Sequence, residues 1–155
     1  MTGTDPDVVL RRARREDIPA IVAMLADDAL GGTRESTDDL SPYYAAYDDI
    51  GDDPNNLLLV AESGGHIVGT LQVNILRGLA RKAAKRAQIE AVRVSSAYRG
   101  RGFGEQIFRA AIAMARQQGC ALVQLTTDKS RKDAHRFYER LGFQSTHEGM
   151  KLDLR

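Results

Sequence analysis

AQIEAVRVSSAYRGRGFGEQIF, residues 87–108, joins a strand, a glycine loop and the first turns of an amphipathic helix. AQIEAVRV (87–94) has the branched, apolar composition of a strand. Gly100, Gly102 and Gly104 then alternate with Arg99, Arg101 and Phe103. Glycine weakens a helix and leaves nothing to pack. Three of them at this point suit a loop that lays bare its main-chain N–H groups against something negative. The helix that follows, about 103–118, carries Ile107, Phe108, Ala111, Met114 and Ala115 on one side, and Gly119 ends it. ALVQLTT (121–127) reads as a buried strand. A strand, a helix and a second strand in this order form a right-handed crossover, so the two strands should be parallel.

Two phosphate-binding patterns fail on the loop. A P-loop needs lysine after its last glycine, whereas Glu105 follows Gly104. A dinucleotide fingerprint spaces its glycines G-x-G-x-x-G after the first strand, which is not the spacing here. What remains is Arg-x-x-Gly-x-Gly at Arg99, Gly102 and Gly104. Uncovered amides at a helix N-terminus, with the positive end of the helix dipole, form a diphosphate site. A tight turn with glycines selected for positive φ is the alternative that the loop alone leaves open.

Upstream, VVLRRA (8–13) is a first strand, and REDIPAIVAMLADDAL (15–30) is a helix with Asp17 as N-cap. Its buried face is Ile18, Ile21, Val22 and Leu25, and Gly31-Gly32 should stop it. A second helix is expected over 36–48, with GDDPN (51–55) as a turn. LLLVAE (57–62) is a strand, Gly64-Gly65 a hairpin turn, and HIVGTLQVN (66–74) alternates as a half-buried antiparallel strand. Downstream, a helix at 131–140 precedes two short strands, GFQSTH (142–147) and GMKLDL (149–154). The sum is an α/β domain built on a mixed sheet.

A length of 155 residues fits one domain, 1–155, and 43% hydrophobic with 28% charged residues is an ordinary soluble composition. No apolar run approaches the roughly 20 residues that span a membrane. The N-terminus lacks the pattern of a signal peptide, and Cys120 is the one cysteine. These features predict a soluble cytoplasmic protein. A net charge of +1 does not advertise a nucleic-acid partner. Seven acids lie in 31–56 and five bases in 77–86, and both runs read first as solvated surface. No His, Asp and Glu spacing forms a metal site.

IEAVRVSSAYRGRGFGEQIF (89–108) followed by DAHRFYERLGF (133–143) resembles the GCN5-related N-acetyltransferase (GNAT) superfamily over roughly residues 57–147. The second motif is similar to that of bacterial members acting on small amines, aminoalkylphosphonate acetyltransferases among them. The resemblance implies a mixed, mostly antiparallel sheet flanked by helices, with a V-shaped splay between two central parallel strands. It implies acetyl-CoA as cosubstrate. Its diphosphate would lie on the main chain of Arg99, Gly100, Arg101, Gly102, Phe103 and Gly104. Its pantetheine amides would pair with Val92, Arg93 and Val94 as an added strand would. The acceptor implied is a small-molecule amine. Family members often dimerise.

On this reading Glu90 is the general base, acting through a water, on a strand face shared with Val92 and Val94. Its structural alternative is a carboxylate paired with Arg93 or the 77–86 bases. Tyr138 matches the family's general acid and would protonate the departing thiolate; otherwise it is a core aromatic with Phe137 and Phe143. A main-chain N–H near Val92 would stabilise the tetrahedral intermediate. Arg131 stands where many members have asparagine. His66 and His135 read as surface residues, and His147 as a substrate contact only if the last hairpin reaches the site. Cys120 reads as an inert packed thiol. Tyr43, Tyr44 and Tyr47 fit core packing before an aromatic amine pocket. The other functions open to this sequence are a protein or peptide N-acetyltransferase, a non-catalytic CoA-binding regulatory module, and nucleic-acid binding through 77–86.

Overall fold

The computed structural model describes residues 3–155 and contains two compact units, one ending at Gln124 and one spanning Leu125–Arg155. The first unit holds a five-stranded sheet in the order β1 (Val9–Arg12), β2 (Asn56–Ser63), β3 (His66–Leu76), β4 (Arg86–Val94) and β5 (Leu122–Gln124). Neighbours are antiparallel except β4 and β5, which are parallel, as the intervening helix requires. The β2–β3 hairpin turns on Gly64 and Gly65 at φ +58° and +81°. Pairing of β4 with β5 is brief, from Arg86↔Leu122 to Gln88↔Gln124. The rest of β4 has no strand partner on that edge among the described residues, which is the opening expected of a splayed pair. β5 is shorter than the predicted 121–127 strand and is half-buried.

Register divides the core into two layers. Leu57, Leu59, Leu71, Val73, Ala87 and Ile89 share the sheet face that meets α5 (Phe103–Gln117), whose Phe103, Ile107, Phe108, Ala111 and Ala115 are buried. The opposite face meets α1 (Ile18–Ala26), where Ile18, Ile21, Val22 and Met24 pack with Ala13 and Val60. Tyr43, Tyr44 and Tyr47 of α3 (Ser41–Gly51) pack half-buried against that cluster, which agrees with a packing role. α3 begins at Ser41 rather than near 36, because Pro42 suits a first helical turn and residues 35–40 are not helical. Gly31-Gly32 does not terminate α1. That helix ends at Ala26, and the glycines open a short turn of helix, α2 (Gly31–Arg34). Asp17 stands at the N-cap of α1 as expected, but its side chain caps no N–H of that helix: its carboxylate accepts from the N–H of Arg14 and from Arg11. In the basic run, α4 (Ala80–Ala83) takes left-handed φ values at Arg81, Lys82 and Ala83.

A bulge in β4 decides what faces where. Gln72 pairs with Glu90 and Thr70 with Arg93, so Ala91 and Val92 together oppose Leu71, with Ala91 at φ +52°. Glu90 and Arg93 therefore point to the α1 side and Val92 and Val94 to the α5 side. The expected shared face of Glu90, Val92 and Val94 is overturned by this one inserted residue. Gly69, opposite Val94, lets the bulged strand close in: a Cβ there would sit 2.6 Å from the Arg93 carbonyl oxygen and 2.6 Å from Ile107 Cδ1. Gly69→Ala is expected to cost about 1–3 kcal/mol by forcing this contact apart. Urea unfolding measures it, and an unchanged midpoint would contradict the close approach.

In the second unit, α6 (Lys132–Arg140) carries Tyr138. The ring of Tyr138 meets Phe137 at 5.6 Å and Phe143 at 6.0 Å, both edge-on. The two strands expected at 142–147 and 149–154 are absent. Met150, Leu152 and Leu154 are exposed, and a strand without a hydrogen-bonded neighbour is not a strand. Among the described residues no helix is long and apolar enough to cross a membrane, and none of the His, Cys, Asp and Glu residues group as metal ligands.

Candidate functional site

The glycine loop lies at the N-terminus of α5. Gly100 and Gly102 take φ +76° and +82°, a region closed to most side chains, and Gly102 is the residue that precedes the helix. The first intrahelical bond runs from the Gln106 N–H to the Gly102 carbonyl. As glycine, Gly102 has no side chain with which to cap the N–H groups of the first turn. Those donors are aligned with the helix axis and carry the partial positive charge of its dipole. Phe103 contributes only its main chain, since its ring is 1% exposed in the core.

The loop's cations are already engaged. Arg99 donates to the Asp27 carbonyl oxygen at 3.0 Å and lies 3.4 Å from its carboxylate. Arg101 is held by Asp5, which raises its pKa, and its guanidinium also lies over the Tyr98 ring. Arg93 pairs with Asp28 at 2.8 Å. An anion on the loop would compete with Asp5 and Asp27 for the two loop arginines. All four side chains are at least 32% exposed, so such exchange is inexpensive.

Beside the loop, Ala20, Ala23, Met24 and Asp27 of the α1 region line a pocket of about 270 Å³ with Ile67, Ser95 and Ser96. Farther along the strands from that opening, the α1 side of the sheet becomes polar. Asn56, Asn74, Gln88 and Gln124 fall in one register row across four strands, and Gln72 and Glu90 are cross-strand partners in another row of that face. All but Glu90 are half-buried, and Glu90 is exposed. A sheet face covered wholly by helices would be apolar here. This end of the face is a polar floor.

Glu90 is therefore not paired with Arg93, which turns to Asp28. It accepts from Gln88 Nε2. Sequence reasoning missed Gln88 and Gln124; the only signal was the alternation of Gln88 and Glu90 on one side of AQIEAVRV. It also missed Ala91 and Gly69. In the second unit, Arg131 precedes α6, His135 Nε2 lies 3.1 Å from the Asp128 carbonyl oxygen, and His147 contacts Thr146. His66 is exposed at a strand start, and Cys120 is half-buried just outside β5.

A family model described as the acetyltransferase (GNAT) family matches residues 19–143. The chain is similar to the aminoalkylphosphonate N-acetyltransferase of Salmonella typhimurium, 35% identical over 95 residues that make up 61% of each protein. It is also similar to the glucosamine 6-phosphate N-acetyltransferase of Trypanosoma brucei brucei, 37% identical over 58% of this chain and 59% of that one. The chain thus spans about three fifths of each of these relatives. Its fold matches a crystal structure described as a transcriptional regulator from Bacillus halodurans C-125, with a TM-score of 0.89 and 48% identity over 95% of this chain and 99% of that one.

Proposed function

Because the chain belongs to the acetyltransferase (GNAT) family, we propose that it moves an acetyl group from acetyl-CoA to the primary amine of a small polar molecule by direct attack. The observation that carries this reading is the uncapped amide cradle at Gly100–Gly104 in continuity with the strand edge that β4 leaves open. The cradle suits a diphosphate, and an open strand edge suits the paired amides of a pantetheine arm. The polar floor around Glu90 suits a small hydrophilic acceptor. The names of the Salmonella and Trypanosoma relatives agree in kind, since both describe N-acetylation of small phosphorus-bearing amines.

The chemistry follows from charge. An alkyl amine has a pKa of about 10.4 and is mostly protonated at neutral pH. Glu90 accepts that proton through a water as the nitrogen attacks the thioester carbonyl. Negative charge then grows on the carbonyl oxygen, where a main-chain N–H released by the bulge at Ala91 and Val92 stabilises it. The C–S bond breaks, and Tyr138 gives its phenolic proton to the thiolate. With a reference pKa of about 10, a tyrosine holds that proton at neutral pH. A cytoplasmic location completes the proposal.

The test is CoA release over an amine panel, beside calorimetry with acetyl-CoA. Tyr138→Phe is expected to lower kcat by about 10²-fold while acetyl-CoA binding persists. Full turnover in that variant would remove the acid, and no binding heat in the wild type would remove the reaction.

The Bacillus halodurans relative favours a second reading, a regulatory module in which the fold senses acetyl-CoA. The basic run at 77–86 would then meet DNA. Binding by that route weakens steeply with salt, so a mobility-shift assay at two salt concentrations separates the two readings.

A further inference from the structure

We propose that Gln88 and Gln124 form an amide relay, anchored on Arg86, that holds the Glu90 carboxylate in place for proton abstraction. This rests on Glu90 being the base. Arg86 Nη1 donates to Gln124 Oε1 at 3.2 Å, Gln124 Nε2 donates to Gln88 Oε1 at 2.9 Å, and Gln88 Nε2 donates to Glu90 Oε1 at 2.5 Å. The ends of the chain fix its direction. A guanidinium has only donors and a carboxylate only acceptors, so each glutamine between them must turn its oxygen toward Arg86 and its nitrogen toward Glu90. Either amide flipped would set two donors or two acceptors against each other.

Backbone register supplies the alignment. Gln88 and Gln124 are directly paired across the parallel β4–β5 ladder, Arg86 pairs with Leu122 two residues back, and Glu90 lies two residues beyond Gln88 on the same face. Three of the four side chains are half-buried, whereas Glu90 is exposed. An exposed glutamate with three side-chain torsions would otherwise sample many rotamers. Core packing alone does not require amides in this row, since the opposite face of the same strands is filled by Ala87 and Ile89. Gln88 and Gln124 are thus positioning residues, which act on the reaction only through Glu90.

Three variants and a double variant test the relay. Gln88→Leu keeps the volume and removes the donor. Gln124→Glu keeps the shape and the Arg86 contact but cannot donate to Gln88. Both are expected to lower kcat by about tenfold or more with the KM for acetyl-CoA unchanged, because the base is misplaced while the cosubstrate site is intact. In a Glu90→Gln background, Gln88→Leu should change kcat by less than about twofold, because coupled residues are non-additive. Side-chain amide NMR reads the contact without turnover: the Gln88 NH₂ resonances should move in Glu90→Gln, and those of Gln124 in Gln88→Leu.

Wild-type kcat in Gln88→Leu, full additivity with Glu90→Gln, or a Gln88 amide indifferent to Glu90→Gln each overturns the relay. Full turnover in Glu90→Gln itself removes the base, and this role with it. Failure of the wild type to bind acetyl-CoA removes the reaction and the role together, whatever the spectra show.

Discussion

Glu90→Gln is expected to lower kcat by about 10² to 10³ near neutral pH and to leave the KM for acetyl-CoA nearly unchanged. The substitution is close to isosteric. Gln88 Nε2 still finds an oxygen to donate to, so what is lost is the charge and the ability to take a proton. The pH profile separates this from a structural effect. Without a base, the variant depends on amine that has already lost its proton, a fraction that rises about tenfold per pH unit until the amine pKa near 10.4. Its rate relative to wild type should therefore climb as pH rises. A misfolded variant would be deficient by the same factor at every pH. A variant with wild-type rate and profile would show that Glu90 is only the exposed end of a hydrogen-bond chain.

The parts of this molecule legible in sequence are those written in local chemistry. Three glycines between a strand and an amphipathic helix gave the loop, and its first helical bond begins where Gly102 takes positive φ. The parallel β4–β5 pair followed from the helix between the two strands. The bulge was not legible, because alanine at φ +52° carries no signature and is held there by the surrounding ladder. That single residue reverses the faces of Val92 and Val94 relative to Glu90, so the site's handedness was hidden with it. The partners of the loop arginines were equally hidden. Asp27 and Asp5 lie 72 and 96 residues away from Arg99 and Arg101 in the chain. Alternation at GMKLDL suggested a strand, but alternation describes a side-chain pattern and not a hydrogen-bonded neighbour. Gln124 was absorbed into a strand read as buried, and register alone reveals that it sits beside Gln88.

Asp17→Ala is expected to cost about 3 kcal/mol of stability, because it strips a largely buried ion pair of one partner. Asp17 is 5% exposed and accepts from both terminal nitrogens of the Arg11 guanidinium, at 2.7 and 3.1 Å, and from the Arg14 N–H at 2.7 Å. Arg11 also donates to Glu62 at 2.8 Å, so the cluster ties β1 and β2 to the start of α1. The Arg11 hydrogen bond is the main cause that lowers the Asp17 pKa below its ordinary 3.8, and burial opposes it in part. A carboxylate depressed in the folded state stabilises fully above its unfolded pKa and loses that contribution as pH falls through its folded one. Wild-type stability should thus be flat from neutral pH to about pH 5 and then fall in acid. Asp17→Asn should show less of that acid decline while being weaker throughout. Thermal unfolding followed by circular dichroism is the measurement, with a drop in Tm of roughly 10 °C expected for Asp17→Ala at pH 7. A drop confined to a degree or two would mean that Glu62 alone suffices for Arg11 and that the buried carboxylate is dispensable.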